Sequence, residues 1–312
     1  MTLSADQLQR IERLRDLFLD DGRGDAALAD YWQHAADLAA YDAVLAARIG
    51  WKWDAALREC AALGWQRSDG ETVLDFGCGT GIAARRYLTH FGAGQVLLHD
   101  RSPAAMADAE RRVAASQPGL RTQRVRDCAT LSPDVLLVSH VVAELDAQGL
   151  VALQDLARRS RRVLLVEPGT FVGSRRLGSL REALRSDFAI LGPCTHQANC
   201  PALASSNDWC HFFAPPPPEV FTNGDWARTA RALGIDLRAL PYAWLALTKQ
   251  AVPPRDEARF LGRAELQPHT ATVMLCDASG LSQRLVTKRH QRDLFRQLRK
   301  HPETVRWLPR EG

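Results

Sequence analysis

No stretch of about 18 consecutive apolar residues occurs in the chain, so the sequence offers no membrane-spanning helix. The opening Met1-Thr-Leu-Ser-Ala-Asp-Gln lacks the basic, apolar and small-residue regions of a secretion signal, and a soluble, cytoplasmic protein is expected. Glycine and proline, 21 and 16 residues, are too few for a fibrous or low-complexity chain, and 46% hydrophobic content is too high for a disordered one. Lysine is scarce, at four of the 40 cations. So strong an arginine bias follows genomic base composition as readily as a binding task, and alone it indicates no partner. The net charge is only +4, but residues 251–312 carry 12 Lys/Arg against 7 Asp/Glu, leaving the first 250 residues close to neutral. A basic end points to a polyanion, most commonly nucleic acid. Seven cysteines are an odd number and argue against a disulfide framework. The 312 residues suffice for one large domain or two small ones.

What is present begins with helices. Leu8, Ile11, Leu14, Leu17 and Phe18 recur at helical spacing, and a second helical run covers Tyr31 to Leu63. From Glu71 the signature changes to short β-rich runs (72–76, 95–100, 121–126, 134–138, 162–167) alternating with helical ones (82–90, 103–116, 148–158). That alternation predicts a parallel sheet covered on both faces. A helix is expected over Leu177–Leu191, and a short one over Trp226–Leu233. Tyr242–Thr248, Thr270–Cys276 and Leu281–Thr287 read as antiparallel strands. The expected organisation is a helical region (1–68), an α/β Rossmann-like core (69–192), a Cys-rich loop (193–218) and a small β-rich part ending in a basic helix (219–312).

The first strand runs into Asp75-Phe-Gly77-Cys-Gly79-Thr-Gly81 and then a helix. Glycines let the chain turn sharply and let a ligand approach the main chain at a helix N-terminus. Asp100 ends the next strand, where a carboxylate accepts both hydroxyls of a ribose, and Asp127 follows the third strand, placed for an adenine amino group. The dinucleotide spacing G-x-G-x-x-G is absent. The segment resembles the class I S-adenosylmethionine-dependent methyltransferases, whose loop is D-x-G-x-G-x-G, and the resemblance implies that Asp75, Gly77, Gly79, Gly81, Asp100 and Asp127 hold that cofactor. Methyl transfer needs mainly placement of the acceptor, sometimes with a base. Ser139-His140-Val-Val-Ala-Glu144 and Glu167-Pro-Gly-Thr170 follow the fourth and fifth strands, making His140, Glu144 and Glu167 the catalytic candidates. Neither segment contains an Asn/Asp-Pro-Pro-Tyr or Pro-Cys acceptor motif.

Cys194, Cys200 and Cys210 lie within 17 residues that have little apolar periodicity, where a metal clip stabilises what burial cannot. The spacing is not that of a zinc ribbon. It leaves zinc and iron–sulfur open, with Cys276 the best fourth ligand and His196 and His211 its rivals. The run Pro-Cys194-Thr-His196…Cys200-Pro…Asp-Trp209-Cys210-His211-Phe, behind Ser-His-x3-Glu-Leu and Glu-Pro-Gly-Thr, resembles the mitochondrial methyltransferase-like family of small-ribosomal-subunit assembly factors and its bacterial relatives. The resemblance covers roughly residues 30–300. It implies a four-iron four-sulfur cluster on Cys194, Cys200, Cys210 and Cys276, and a partner in the small ribosomal subunit or its RNA. A cluster with four thiolates lacks the open iron of radical enzymes. Two departures stand out: Thr195 where the family has Pro, and Phe213-Ala-Pro-Pro-Pro-Pro where it has polar and basic residues, which bears on any RNA contact just after the loop. At the basic end, Lys288, Arg289, Arg292, Arg296, Arg299 and Lys300 gather on one side of a helix expected over 288–307, opposite Leu294, Phe295 and Leu298. Asp293 is the only acid among residues 281–302, so this side is a candidate RNA face. The reading is a monomeric, S-adenosylmethionine-binding methyltransferase acting on ribosomal RNA, or an assembly factor built on that fold.

Overall fold

Runs such as Val135-Leu-Leu-Val138 and Val163-Leu-Leu-Val166 have no polar face, which suits strands buried on both sides of a sheet. The computed structural model, which describes residues 3–19 and 30–310, buries both runs completely. Strands β1 (Thr72–Phe76), β2 (Gln95–His99), β3 (Arg121–Arg124), β4 (Val135–Ser139) and β5 (Arg162–Pro168) lie parallel. Strands β6 (Ala189–Gly192), β7 (Phe212–Phe213) and β8 (Pro241–Thr248) complete the sheet, with β8 antiparallel to each neighbour. The order is β3-β2-β1-β4-β5-β8-β6, with β7 also pairing β8. Chain order reverses between β1 and β4, and α/β sheets bind ligands beyond the carboxyl ends of strands at such a point.

Helices α4 (Ile82–His90), α5 (Pro103–Ser116), α6 (Ala147–Arg159) and α7 (Phe171–Leu184) cover the sheet. Three begin at sequence-encoded caps. Ser102 Oγ accepts from Ala105 N (3.4 Å) with Pro103 at the first position, Asp146 Oδ1 accepts from Gly149 N (2.7 Å), and Thr170 Oγ1 accepts from Gly173 N (3.2 Å). In front of them, α1 (Ala5–Leu19) packs on α2 (Ala35–Tyr41), which passes through one π-helical turn at Asp42–Ala46 into α3 (Ala47–Ala62).

The helix expected over Leu177–Leu191 is instead α7 followed by β6. Leu177, Leu180, Leu184, Phe188 and Leu191 keep a helical spacing, but the main chain of 189–192 is hydrogen-bonded to β8. Pairing with a neighbouring strand overrides local pattern here. Between β6 and β8 lie the short helix α8 (Pro201–Ala204), β7, the short helix α9 (Glu219–Thr222) and α10 (Gly224–Leu233), the last closed by Gly234 in the left-handed conformation (φ +59°). A second, antiparallel sheet has the order β11-β10-β9-β12, from β9 (Glu257–Leu266), β10 (Thr270–Asp277), β11 (Gly280–Thr287) and β12 (Trp307–Pro309). The terminal helix is shorter than the expected 288–307: α11 spans Arg292–Lys300 and buries Phe295 and Leu298 against this sheet. Lys288 and Arg289 fall in the turn before it, fixed by His290 N donating to Thr287 Oγ1, and Pro302 follows its end.

Candidate functional site

The glycine loop turns as its sequence requires. Gly77, Gly79 and Gly81 all have positive φ (+69°, +50° and +74°), which L side chains rarely adopt. Gly77 is also sterically locked, since a Cβ there would stand 2.3 Å from Val141 Cγ2. Its N–H and that of Cys78 both donate to His99 O (2.8 and 2.9 Å), stitching the loop to the end of β2. Gly79 differs: a Cβ there would meet nothing within 4 Å, so a ligand can approach its main chain.

Two of the expected carboxylates support this loop from behind. Asp75 is fully buried, and its Oδ2 accepts from Ala84 N (3.0 Å), supplying a partner for a free N–H in the first turn of α4. Burial pushes its carboxyl up to about 7. Asp100 accepts from Gly79 N (2.9 Å) and Ser102 N (2.9 Å), so it fixes the loop and starts α5 at once; burial raises its carboxyl too. Asp127 is exposed beyond β3, which ends at Arg124, and its side chain accepts from Ala129 N (2.8 Å) in a local turn.

Above the loop lies a cavity of about 230 Å³, lined by Gly77, Gly79, Thr80, His140 and Glu144 on the sheet side. Its roof comes from Phe18 of α1, Tyr31 and Trp32 in the segment before α2, and Tyr41 of α2, whose rings lie 4.7–6.1 Å apart in mostly edge-on contacts. Lys52 of α3 enters the cavity and places Nζ 3.4 Å from His140 Nε2. Burial, and then Arg48, push that ammonium down to about 7. His140 has a positive φ (+57°), and its Nδ1 is buried without a partner; burial and Lys52 hold its ring well below the usual imidazole range. Glu144 lines the same cavity 3.7 Å from Arg101. Glu167 does something else. Its Oε1 accepts from Val141 N and Val142 N (3.0 and 3.1 Å), capping the turn that presents His140, and burial pushes the carboxyl up to about 8. Of the three catalytic candidates, His140 and Glu144 reach the cavity and Glu167 braces it. The sequence reading did not include the aromatic roof or Lys52. The crowding in Tyr31-Trp32 and Trp51-Lys52-Trp53 is the signal that was there.

The cysteine segment buries Thr195, His196 and Ala202 and is further held by arginines. Arg175 Nη1 donates to the carbonyls of Ala202, Ser205 and Asp208 (3.0, 2.6 and 3.1 Å), Arg181 Nη2 to Ala198 O (2.7 Å) and Arg255 Nη2 to Cys194 O (3.1 Å). The loop meets β10 where Cys276 Sγ lies 3.9 Å from His196 Nε2. Among the described residues no three His, Cys, Asp or Glu side chains form a group that could hold a metal ion. The four cysteines nonetheless share one electrostatic neighbourhood. Burial raises the Cys210 thiol, and the proximity of Cys194, Cys276 and Cys200 raises it further; Cys276 is raised by burial and then by Cys194 and Cys200. The Arg181 guanidinium faces Cys194 and Cys200. Cys60 and Cys78 are buried elsewhere, and Cys128 is half-buried beyond β3.

Lys288, Arg289, Arg292, Arg296, Arg299 and Lys300 are all exposed. Asp293 faces Arg296 at 3.4 Å, and Arg299 lies over the Phe295 ring. No helix among the described residues is long and apolar enough to cross a membrane.

A family model described as mitochondrial small ribosomal subunit Rsm22 matches residues 55–307. Among solved structures the chain is similar to magnesium protoporphyrin IX methyltransferase from Synechocystis PCC 6803 with bound SAH, at 15% identity over 77% of this chain and 100% of that one, TM-score 0.42. It is also similar to a chain in the complex between the Haloferax volcanii Trm112 methyltransferase activator and the putative methyltransferase, at 17% identity over 72% and 100%, TM-score 0.41. No curated protein matches the sequence.

Proposed function

The chain belongs to the mitochondrial small ribosomal subunit Rsm22 family, and from that premise we propose that it binds S-adenosylmethionine and methylates RNA of the small ribosomal subunit. The observation that carries this reading is the glycine loop, whose Gly79 main chain opens onto the cavity that His140 and Glu144 line. Gly77 and Gly79 would receive the cofactor, with Asp100 holding the loop in shape and facing the ribose; Asp75 braces from below. When bound, the cofactor supplies an electrophilic methyl group. The chain's own part is to exclude water with the aromatic roof and to place an acceptor beside His140 and Lys52, which exchange a proton between them. Asp127 and the exposed cations of 288–300 would contact adenine and RNA phosphates. Cys194, Cys200, Cys210 and Cys276 would hold a four-iron four-sulfur cluster, with zinc as the alternative: their shared neighbourhood and the facing Arg181 suit an anionic thiolate cluster. The chain would act as a monomer in the cytoplasm, whereas the family's description is mitochondrial.

A second reading, a non-catalytic assembly factor, is favoured by the placement of the candidate bases: Glu167 is consumed as a cap and Glu144 faces Arg101. Cross-linking to identify the bound RNA, followed by mass mapping of methyl groups in a deletion strain, separates the two. Asp100→Asn, which cannot accept ribose hydroxyls as a carboxylate does, abolishes a methyl mark if the chain is an enzyme. Ribosome profiles that depend on the cysteines but not on Asp100, with no mark missing, identify the assembly factor.

A further inference from the structure

Trp209-Cys-His-Phe-Phe213 leads into β7 as an extended chain, so its side chains alternate. Phe212 is buried and Cys210 packs beside it on the core, whereas Trp209, His211 and Phe213 stay half-buried on the other face. There they form a ladder. The Trp209 and His211 rings stack at 4.8 Å and 15°, His211 meets Phe213 edge-on at 5.6 Å, and the Arg263 guanidinium of β9 lies 3.9 Å over Phe213.

The ladder ends in a second cavity of about 420 Å³, in the size range of small-ligand sites. Its lining includes Arg238, Arg259, Arg263, Lys300 and Arg306, and among the described residues Glu59 is the only carboxylate in it. That carboxylate is bonded to Arg259 (2.6 and 3.2 Å) and Tyr242 (3.3 Å) and stands 3.8 Å from Arg306, while Arg238 pairs with Asp236 outside the lining (3.4 Å), so five cations face two carboxylates and the cleft keeps a cationic excess. Arg259 is buried with its Nε unpartnered, and Phe221 stands 58% exposed on the rim.

We propose that this cleft binds one unpaired nucleotide of single-stranded RNA, with the base stacked at Phe213 and Arg263 and the phosphate among Arg238, Lys300 and Arg306. A cationic excess alone would take any anion. Flat ring faces continuous with them select an anion that carries a planar ring, and stacking without edge recognition tolerates any base. The Phe213-Ala-Pro-Pro segment, which lacks basic residues in the sequence, forms one wall, and β9 with the chain after α11 brings the charge. The proposal rests on the RNA reading above.

The test is fluorescence anisotropy of a short labelled single-stranded RNA with the full chain at several salt concentrations. Phe213→Leu and Arg263→Gln, neither of which touches the Glu59–Arg259 pair, each weaken binding roughly tenfold. Lys300→Gln, at the phosphate, lowers the salt slope by about 0.7. Phe213→Tyr keeps a ring face and binds as the wild type, which separates lost stacking from lost folding. If the wild type binds RNA but Phe213→Leu and Arg263→Gln bind equally well, the cleft assignment is overturned while the RNA reading stands. A folded wild type that binds no RNA overturns both. Full affinity in Phe213→Leu, with polyglutamate displacing the RNA, overturns the nucleotide assignment in favour of a surface for acidic peptides.

Discussion

Cutting Glu59 back to alanine lowers the unfolding free energy by about 3–5 kcal/mol, read as a fall in the urea midpoint. Glu59 of α3 and Arg259 of β9 are each 3% exposed and joined by two hydrogen bonds, 2.6 and 3.2 Å. Tyr242 of β8 donates to the same carboxylate, Arg306 stands 3.8 Å away, and the Arg259 guanidinium lies 4.1 Å over the Phe212 ring. The pair therefore ties the helical layer of the large sheet to the small sheet. Removing one partner strands the other charge without water, which costs far more than the pair contributes as a whole. For that reason Arg259→Met with Glu59→Leu recovers most of the loss. A loss below about 1 kcal/mol in Glu59→Ala, the scale of an exposed pair, would refute the clamp.

The second large effect concerns the cysteines. The proposed cluster predicts that anaerobically purified protein will be brown and contain iron and inorganic sulfide, and that changing any one of Cys194, Cys200, Cys210 or Cys276 to serine will remove both. Cys128→Ser, outside that neighbourhood, leaves the content unchanged. The segment they occupy is secured by arginine bonds to carbonyls, which order the main chain, while burial raises the thiols of Cys200, Cys210 and Cys276. Such thiols become thiolates only when a metal supplies positive charge, so ligation and ordering of the loop are coupled. Metal removal should accordingly open residues 194–210 to proteolysis before the rest of the chain. A colourless protein carrying one zinc per chain would replace the cluster by the alternative ligand set, and a metal-free protein would dismiss both.

The parallel half of the sheet was legible because strands buried on both faces and capped helices are written locally. The helices expected from residues 103 and 148 begin at Pro103 and Ala147, each just after its cap. The antiparallel half was less so. Tyr242–Thr248 reads as a strand, but nothing in its uniform apolar run says that it joins β5 and β6 rather than β9. Strand β9 was missed altogether: Arg259 faces inward to Glu59, so a charge occupies a core position and hides the alternation. In the candidate site, the glycine motif located the loop, but the roof did not follow from it. Phe18, Tyr31 and Tyr41 reach the cavity only through the packing of α1 and α2. Likewise Asp75 and Glu167 read as ligand or base candidates, and only hydrogen-bond partners reveal them as braces.

Cofactor binding at the glycine loop is read out by calorimetric titration with S-adenosylmethionine. Gly79→Val is the informative variant. A Cβ there meets no protein atom within 4 Å, and the φ of +50° costs an L residue about 1–2 kcal/mol, which a stable domain tolerates. The valine would instead occupy the space left for the ligand. Saturable one-to-one binding to the wild type, lost in a folded Gly79→Val, is the predicted result. No heat with the folded wild type, or equal binding by Gly79→Val, would contradict it.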